Sequence, residues 1–97
     1  MLTGKQKSYL RSLAHPIDPI FQVGKGGVNE NLLMQLRDAL EARELIKVSL
    51  LNNFSGKKEE AAEQLVKGTG AELVQLIGRT VVLYKESREK RRIELPD

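Results

Sequence analysis

Ile20-Phe21-Gln22-Val23-Gly24-Lys25-Gly26-Gly27-Val28-Asn29-Glu30 passes from an apolar run, through a glycine-rich turn, to the start of a helix. Ile17, Ile20, Phe21 and Val23 read as a short strand, with Pro19 at its beginning or on a sheet edge, where a missing N–H does least harm. Asn29 is a favoured N-cap, and Val28 and Leu33 flank it at the positions of a hydrophobic staple. Leu32, Leu33, Leu36, Ala39 and Leu40 then recur at helical spacing and carry the helix to about Arg43. Such a helical crossover joins the first strand to the second, and another joins the second to the third, so mixed parallel and antiparallel pairing follows, with the strand order left open.

Outward from that unit, Thr3 and Gln6 form a capping-box pattern, and Tyr9, Leu10, Leu13 and Ala14 share one side of a first helix over about Thr3 to Ala14. Pro16 ends it. On the other side of the unit, Leu45 to Leu51 reads as a strand. Its Ile46, Val48 and Leu50 alternate with Lys47 and Ser49, the period of a strand with one buried and one wet face. Asn52 to Gly56 is a loop. Lys57 to Lys67 then places Ala61, Ala62, Leu65 and Val66 on one side of a third helix, with Glu59, Glu60 and Glu63 at its acidic start and Gly68 and Gly70 to stop it.

Ala71 to Ile77 and Thr80 to Lys85 are two β runs joined by Gly78-Arg79, the Gly-X signature of a type II′ hairpin, which puts Arg79 at the tip. The order α-β-α-β-α-β-β predicts a single two-layer α/β domain with a four-stranded mixed sheet over residues 1–85. Residues 86–97 read as a charged tail, mobile unless it docks. No repeat, low-complexity tract or linker divides the chain.

With 97 residues, 40% of them hydrophobic and 30% charged, the composition is that of a folded domain with one modest core. Aromatic residues make up only 4%, which weighs against a platform on which unpaired bases stack. The absence of cysteine removes disulfides, thiolate chemistry and cysteine zinc sites together. No apolar run reaches the ~20 residues needed to cross a bilayer, and Met1-Leu2-Thr3-Gly4-Lys5 lacks the apolar stretch of a signal peptide, so the expected location is cytoplasmic with no membrane partner. The net charge of +3 is unevenly spread, at +3 over residues 1–27, −2 over 28–78 and +2 over 79–97. Two basic ends suit a partner that carries phosphates.

Gly24-Lys25-Gly26-Gly27 lies where backbone N–H groups and the positive end of a helix dipole face outward, an arrangement that attracts anions. Glycines there let a phosphodiester backbone come close, and Lys25 adds a mobile charge. The G-x-x-G form is the one KH domains use to clamp a nucleic-acid backbone. Taken alone the string is weak, since glycines in a turn also serve simply to supply positive φ. Glu30 opposes the reading, because a carboxylate in the first helical turn competes with a phosphate for the dipole.

Enzymatic alternatives lack their parts. The dinucleotide fingerprint fails at its third glycine, and no Lys-Ser/Thr pair follows the loop as a Walker motif requires. His15, the single histidine, sits at a helix end between Ala14 and Pro16, placed to cap or pack, with RNA contact open to it. No catalytic triad, zinc-ligand spacing or carboxylate pair stands out, so no catalytic residue, metal or cofactor is expected. Arg79, Lys85, Arg88 and Lys90-Arg91-Arg92 are further basic candidates, for which tail solubility is a competing explanation.

On these residues the chain resembles the bacterial YhbY-like family, whose domain is also called the CRM domain, for chloroplast RNA splicing and ribosome maturation. The carrying stretches are Leu2 to Lys7 with Leu10 to His15, Gly24 to Gly27, Glu44 to Val48, and Gly70 to Gln75 running into Ile77 to Thr80. The resemblance implies a fold similar to the C-terminal domain of a bacterial translation initiation factor, RNA binding through the G-x-x-G loop, and association with large-subunit ribosomal RNA in precursor particles. Gly24 and Gly27 come from the motif, and Lys25 is inferred from its charge.

The expected RNA-binding set is therefore Gly24, Lys25, Gly26 and Gly27, extended by Lys5, Lys7, Arg11 and Arg79. Two rivals stand beside it. One is an adaptor that docks ribosomal proteins and uses the loop only as a turn, and the other is a phosphate-using enzyme with a cradle but no catalytic groups.

Overall fold

The computed structural model describes residues 2–97, so Met1, which begins the expected domain, lies outside the described residues. Its elements are α1 (Gly4–Ala14), β1 (Phe21–Val23), α2 (Glu30–Arg43), β2 (Leu45–Leu50), α3 (Lys58–Thr69), β3 (Glu72–Ile77) and β4 (Thr80–Tyr84), in the expected order. The caps explain where the first two helices begin. Thr3 Oγ1 accepts from the Gln6 amide at 3.1 Å while Gln6 Oε1 accepts from the Thr3 amide at 3.0 Å, and Asn29 Oδ1 accepts from the Leu32 amide at 2.9 Å. Such caps each stabilise a helix by about 1 kcal/mol.

Only one of the two glycines expected to stop α3 does so. Gly70 takes the left-handed C-cap at φ 75°. Gly68 lies inside the helix, where an added Cβ would fall 2.5 Å from Leu33 Cδ1, so the missing side chain lets α2 and α3 approach.

The strand order is β1-β2-β4-β3, with β1 parallel to β2 and β4 antiparallel to both its neighbours. The α2 crossover produces the parallel pair, and the short hairpin then lays β4 between β2 and β3. Gly78 has φ 57° and Arg79 does not share the positive φ, as in a II′ turn.

The expectation of two layers is corrected, because both faces of the sheet are covered. On one face Val23, Ile46, Val48, Leu50, Val81 and Leu83 pack with Leu36 and Leu40 of α2 and Ala61, Ala62 and Leu65 of α3. On the other, Leu45, Val74, Val82 and Tyr84 pack with Leu10 and Ala14 of α1. The β2 alternation around Lys47 and Ser49 looked wet on its second side, but α1 covers that side. Both Lys47 and Ser49 are half-buried. Each fully buried Leu or Ile contributes about 1.5–3 kcal/mol to this arrangement.

Pairing in β3 is irregular. Leu73 opposes Leu83 and Gln75 opposes Val82, which leaves Val74 as a bulge. A bulge of one residue reverses which side chains face which side. Gln75 and Ile77 consequently join the α1 face, while Leu76 packs in the α2–α3 core.

The tail docks. Ile93 and Leu95 pack on the α1-side cluster. Glu44, fully buried at the C-cap of α2 with φ 67°, accepts from the amides of Ser87, Arg92 and Ile93 at 2.8, 2.6 and 2.8 Å. Glu41, one turn earlier, accepts from the amides of Arg88 and Glu89 and from the Ser87 hydroxyl.

Candidate nucleic-acid interface

Three connections leave the sheet at one end, because Val23 is level with Leu50, Ser49 with Thr80, and Thr80 with Ile77. They are the Gly24–Gly27 loop, the loop from Leu51 to Lys57, and the Gly78-Arg79 turn. The first is a β-turn closed by the Gly27 amide donating to the Gly24 carbonyl at 3.0 Å. That amide is committed. Among the described residues no hydrogen bond takes the N–H of Lys25, Gly26 or Val28, and these lie just ahead of the α2 N-terminus.

Each glycine of the loop has its own reason to be there. A Cβ on Gly24 would meet Asn53 Oδ1 at 3.3 Å and Leu51 Cδ1 at 3.5 Å, and Gly27 holds φ 69°. Gly26 has neither constraint, since open space surrounds its Cβ position and its φ is outside the left-handed region. Gly27→Ala is therefore expected to cost about 1–2 kcal/mol in chemical denaturation, through left-handed strain. Gly26→Ala should stay within ~0.5 kcal/mol of the parent. Equal losses at both positions would show that the turn is held differently.

Glu30 is the first residue of α2, as expected, but its carboxylate is engaged further along the helix. Its carboxylate pairs with Arg37, which also donates to the Gly68 carbonyl at 2.6 Å, so its charge is drawn along α2 and neutralised. Lys25, Gly26 and Gly27 line a shallow depression of about 280 Å³ together with Phe54, Ser55, Gly56 and the acidic Glu60 of α3. Lys57 caps α3 beside it without a side-chain hydrogen bond.

A family model matches residues 2–85, that of the CRS1 / YhbY (CRM) domain. The chain belongs to this family. It is 65% identical to the Bacillus subtilis protein named Probable RNA-binding protein YqeI, over 99% of this chain and 100% of that one. A Haemophilus influenzae protein named RNA-binding protein is 38% identical, over 98% of this chain and 95% of its own. A Staphylococcus aureus protein solved in solution superposes with a TM-score of 0.82 at 62% identity, covering 99% and 100% of the two chains.

Within this CRM domain the expected residues fall into three groups. Arg79 joins the loop through a relay of contacts, since its Nε and Nη2 donate to the Leu50 and Leu51 carbonyls at 3.0 and 2.7 Å and the Leu51 amide donates to the carbonyl of Val23, next to Gly24, at 2.9 Å. Its guanidinium thus braces the end of β2 while remaining exposed. Arg11 lies on the opposite sheet face, in a groove between α1 and the sheet. Lys5 and Lys7 sit in the first turn of α1, near the Glu72 end of β3, about 16 Å along the strand from Ile77.

The sequence reading passed over Lys47, Gln75 and the Asn53–Lys57 loop. Lys47 read as the wet side of a strand, Gln75 needed the bulge to be placed, and the second loop carries no motif. No helix among the described residues is long and apolar enough to cross a membrane.

Proposed function

We propose that this CRM domain is a cytoplasmic, non-enzymatic RNA-binding protein that grips the sugar-phosphate backbone at Gly24 to Gly27 in a KH-like manner. Its RNA is large-subunit ribosomal RNA in precursor particles, and its role is assembly of that subunit. One observation carries the reading. The amides of Lys25, Gly26 and Val28 are open beside a helix N-terminus whose competing carboxylate, Glu30, is paired away.

Lys25 and Arg79 add charge at the same sheet end, and Arg11, Lys7 and Lys5 extend it along α1. Phosphate contacts position the domain without reading sequence, so shape governs recognition. The names of the Bacillus and Haemophilus relatives point the same way.

With about four phosphates neutralised, log affinity should fall against log salt with a slope of about −3. Fluorescence anisotropy across a salt series measures it, and a flat response counts against the backbone grip. The adaptor reading has Met34, 54% exposed on α2, in its favour, but single exposed apolar side chains are ordinary. Co-sedimentation with ribosomal particles that survives ribonuclease would support the adaptor instead.

A further inference from the structure

We infer that the groove between α1 and the sheet is a second nucleic-acid site, which takes one unpaired nucleotide of the RNA strand held at the loop. The inference rests on the RNA reading above and adds to it a separate pocket on the other face of the sheet.

The groove encloses about 530 Å³, within the ~300–1,000 Å³ range of sites that take small molecules. None of its lining residues is acidic, and Arg11, His15 and Lys47 all contribute to its wall. Among the described residues neither Arg11 nor Lys47 pairs with a carboxylate. The Lys47 ammonium makes one long contact, 3.4 Å to the His15 carbonyl. Two unneutralised cations lining one cleft set up a local positive field for a phosphate.

The groove is also equipped to hold a base. Its floor is apolar at Ala14 and Val82, while Gln75 and Thr80 present amide and hydroxyl groups. A glutamine amide offers both a donor and an acceptor, which suits the edge of an unpaired base. Gln75 reaches this face only because of the Val74 bulge. In a regular strand Gln75 would share the face of Leu73, in the α2–α3 core. Bulges that re-aim one side chain are frequent beside functional sites.

The two sites adjoin. Ile77, 58% exposed, and Thr80 line the groove and flank the hairpin turn, whose Arg79 is bonded to Leu50 and Leu51 beside the loop. A strand leaving the loop passes the hairpin tip and enters the groove.

The test is photo-crosslinking of the full chain to a 4-thiouridine RNA of about 12 nucleotides, long enough for both sites, with peptide mapping and anisotropy. We expect crosslinks in residues 21–29 and also in 8–15 and 73–82. Lys47→Ala with Gln75→Ala should remove the groove crosslinks, keep those of the loop, and weaken binding about tenfold. Arg11→Gln, an exposed helix-surface change that leaves the core intact, should weaken binding about threefold or more.

Loop crosslinks alone, with affinity unchanged in both groove variants, would overturn this proposal and leave the loop reading standing. Groove crosslinks alone would keep the groove and overturn the loop. Unchanged RNA affinity, combined with loss of the groove variants from ribonuclease-treated ribosomal particles, would assign the groove to a protein and refute the nucleotide.

Discussion

Changing Lys25 and Gly26 together to aspartate is expected to lower RNA affinity by at least ~100-fold while leaving circular dichroism and the melting temperature nearly unchanged. Both parts follow from the geometry. A side chain at Gly26 points into open space, so the turn accepts it. Two carboxylates would then replace the Lys25 charge beside amides that no group among the described residues bonds, and like charges forced together at an interface cost several kcal/mol. Because the effect is electrostatic, the salt slope should become shallower along with the affinity. A double variant that melts normally and binds RNA as the parent does would remove the loop from the interface.

Loss of the Glu44 carboxylate should have the largest effect on stability. Glu44→Ala leaves three amides, those of Ser87, Arg92 and Ile93, without their acceptor. Hydrogen bonds to a charged group contribute about 1.5–3 kcal/mol each, but the tail can undock and rehydrate, which limits the loss to about 2–4 kcal/mol. For a domain of this size that is on the order of 10–20 °C in melting temperature. Glu44→Gly separates two contributions, because it relieves the positive φ while still removing the acceptor, and should recover about 1 kcal/mol of the loss. Amide exchange at Ser87, Arg92 and Ile93 should accelerate in both variants. Unchanged exchange there would mean that Glu41, Ile93 and Leu95 hold the tail without Glu44.

The same clasp predicts an acid response. Burial pushes the Glu44 carboxyl up, but the amides of Ser87, Arg92 and Ile93, with the Arg91 charge, outweigh it and leave it below its ordinary 4.5. The Arg88 amide and the Ser87 hydroxyl lower Glu41 in the same direction. A carboxyl depressed in the folded state stabilises fully above the unfolded value and loses that contribution as pH falls through the folded one. The tail should therefore stay docked above pH 4.5 and loosen as pH falls through the lowered values of Glu44 and Glu41, a step followed by amide exchange that Glu44→Gln should diminish to the Glu41 share.

Local chemistry made most of the fold legible. Thr3 with Gln6, Asn29, and Gly78-Arg79 each announce a cap or turn within four residues of chain, and the structure has all three. What could not be read depends on contacts between distant residues. Nothing near Leu45 says that α1 will cover its face, and no local pattern marks Val74 as a bulge or Gly68 as the seat of Leu33. Glu44 looked like an ordinary helix end until residues 43 to 49 positions away supplied its amides. At the site, the loop was visible as a motif. The pairing of Glu30 with Arg37 and the turning of Arg79 onto β2 were not, since each depends on a side-chain direction set by packing.

The most direct measurement of the central claim is an amide NMR titration of the full chain with an RNA of about 12 nucleotides. The amides of Lys25, Gly26 and Val28 should shift most and downfield, as donors newly bonded to phosphate, and inorganic phosphate at high concentration should reproduce the direction weakly. Large shifts elsewhere, with these three amides unmoved at saturation, would contradict the account.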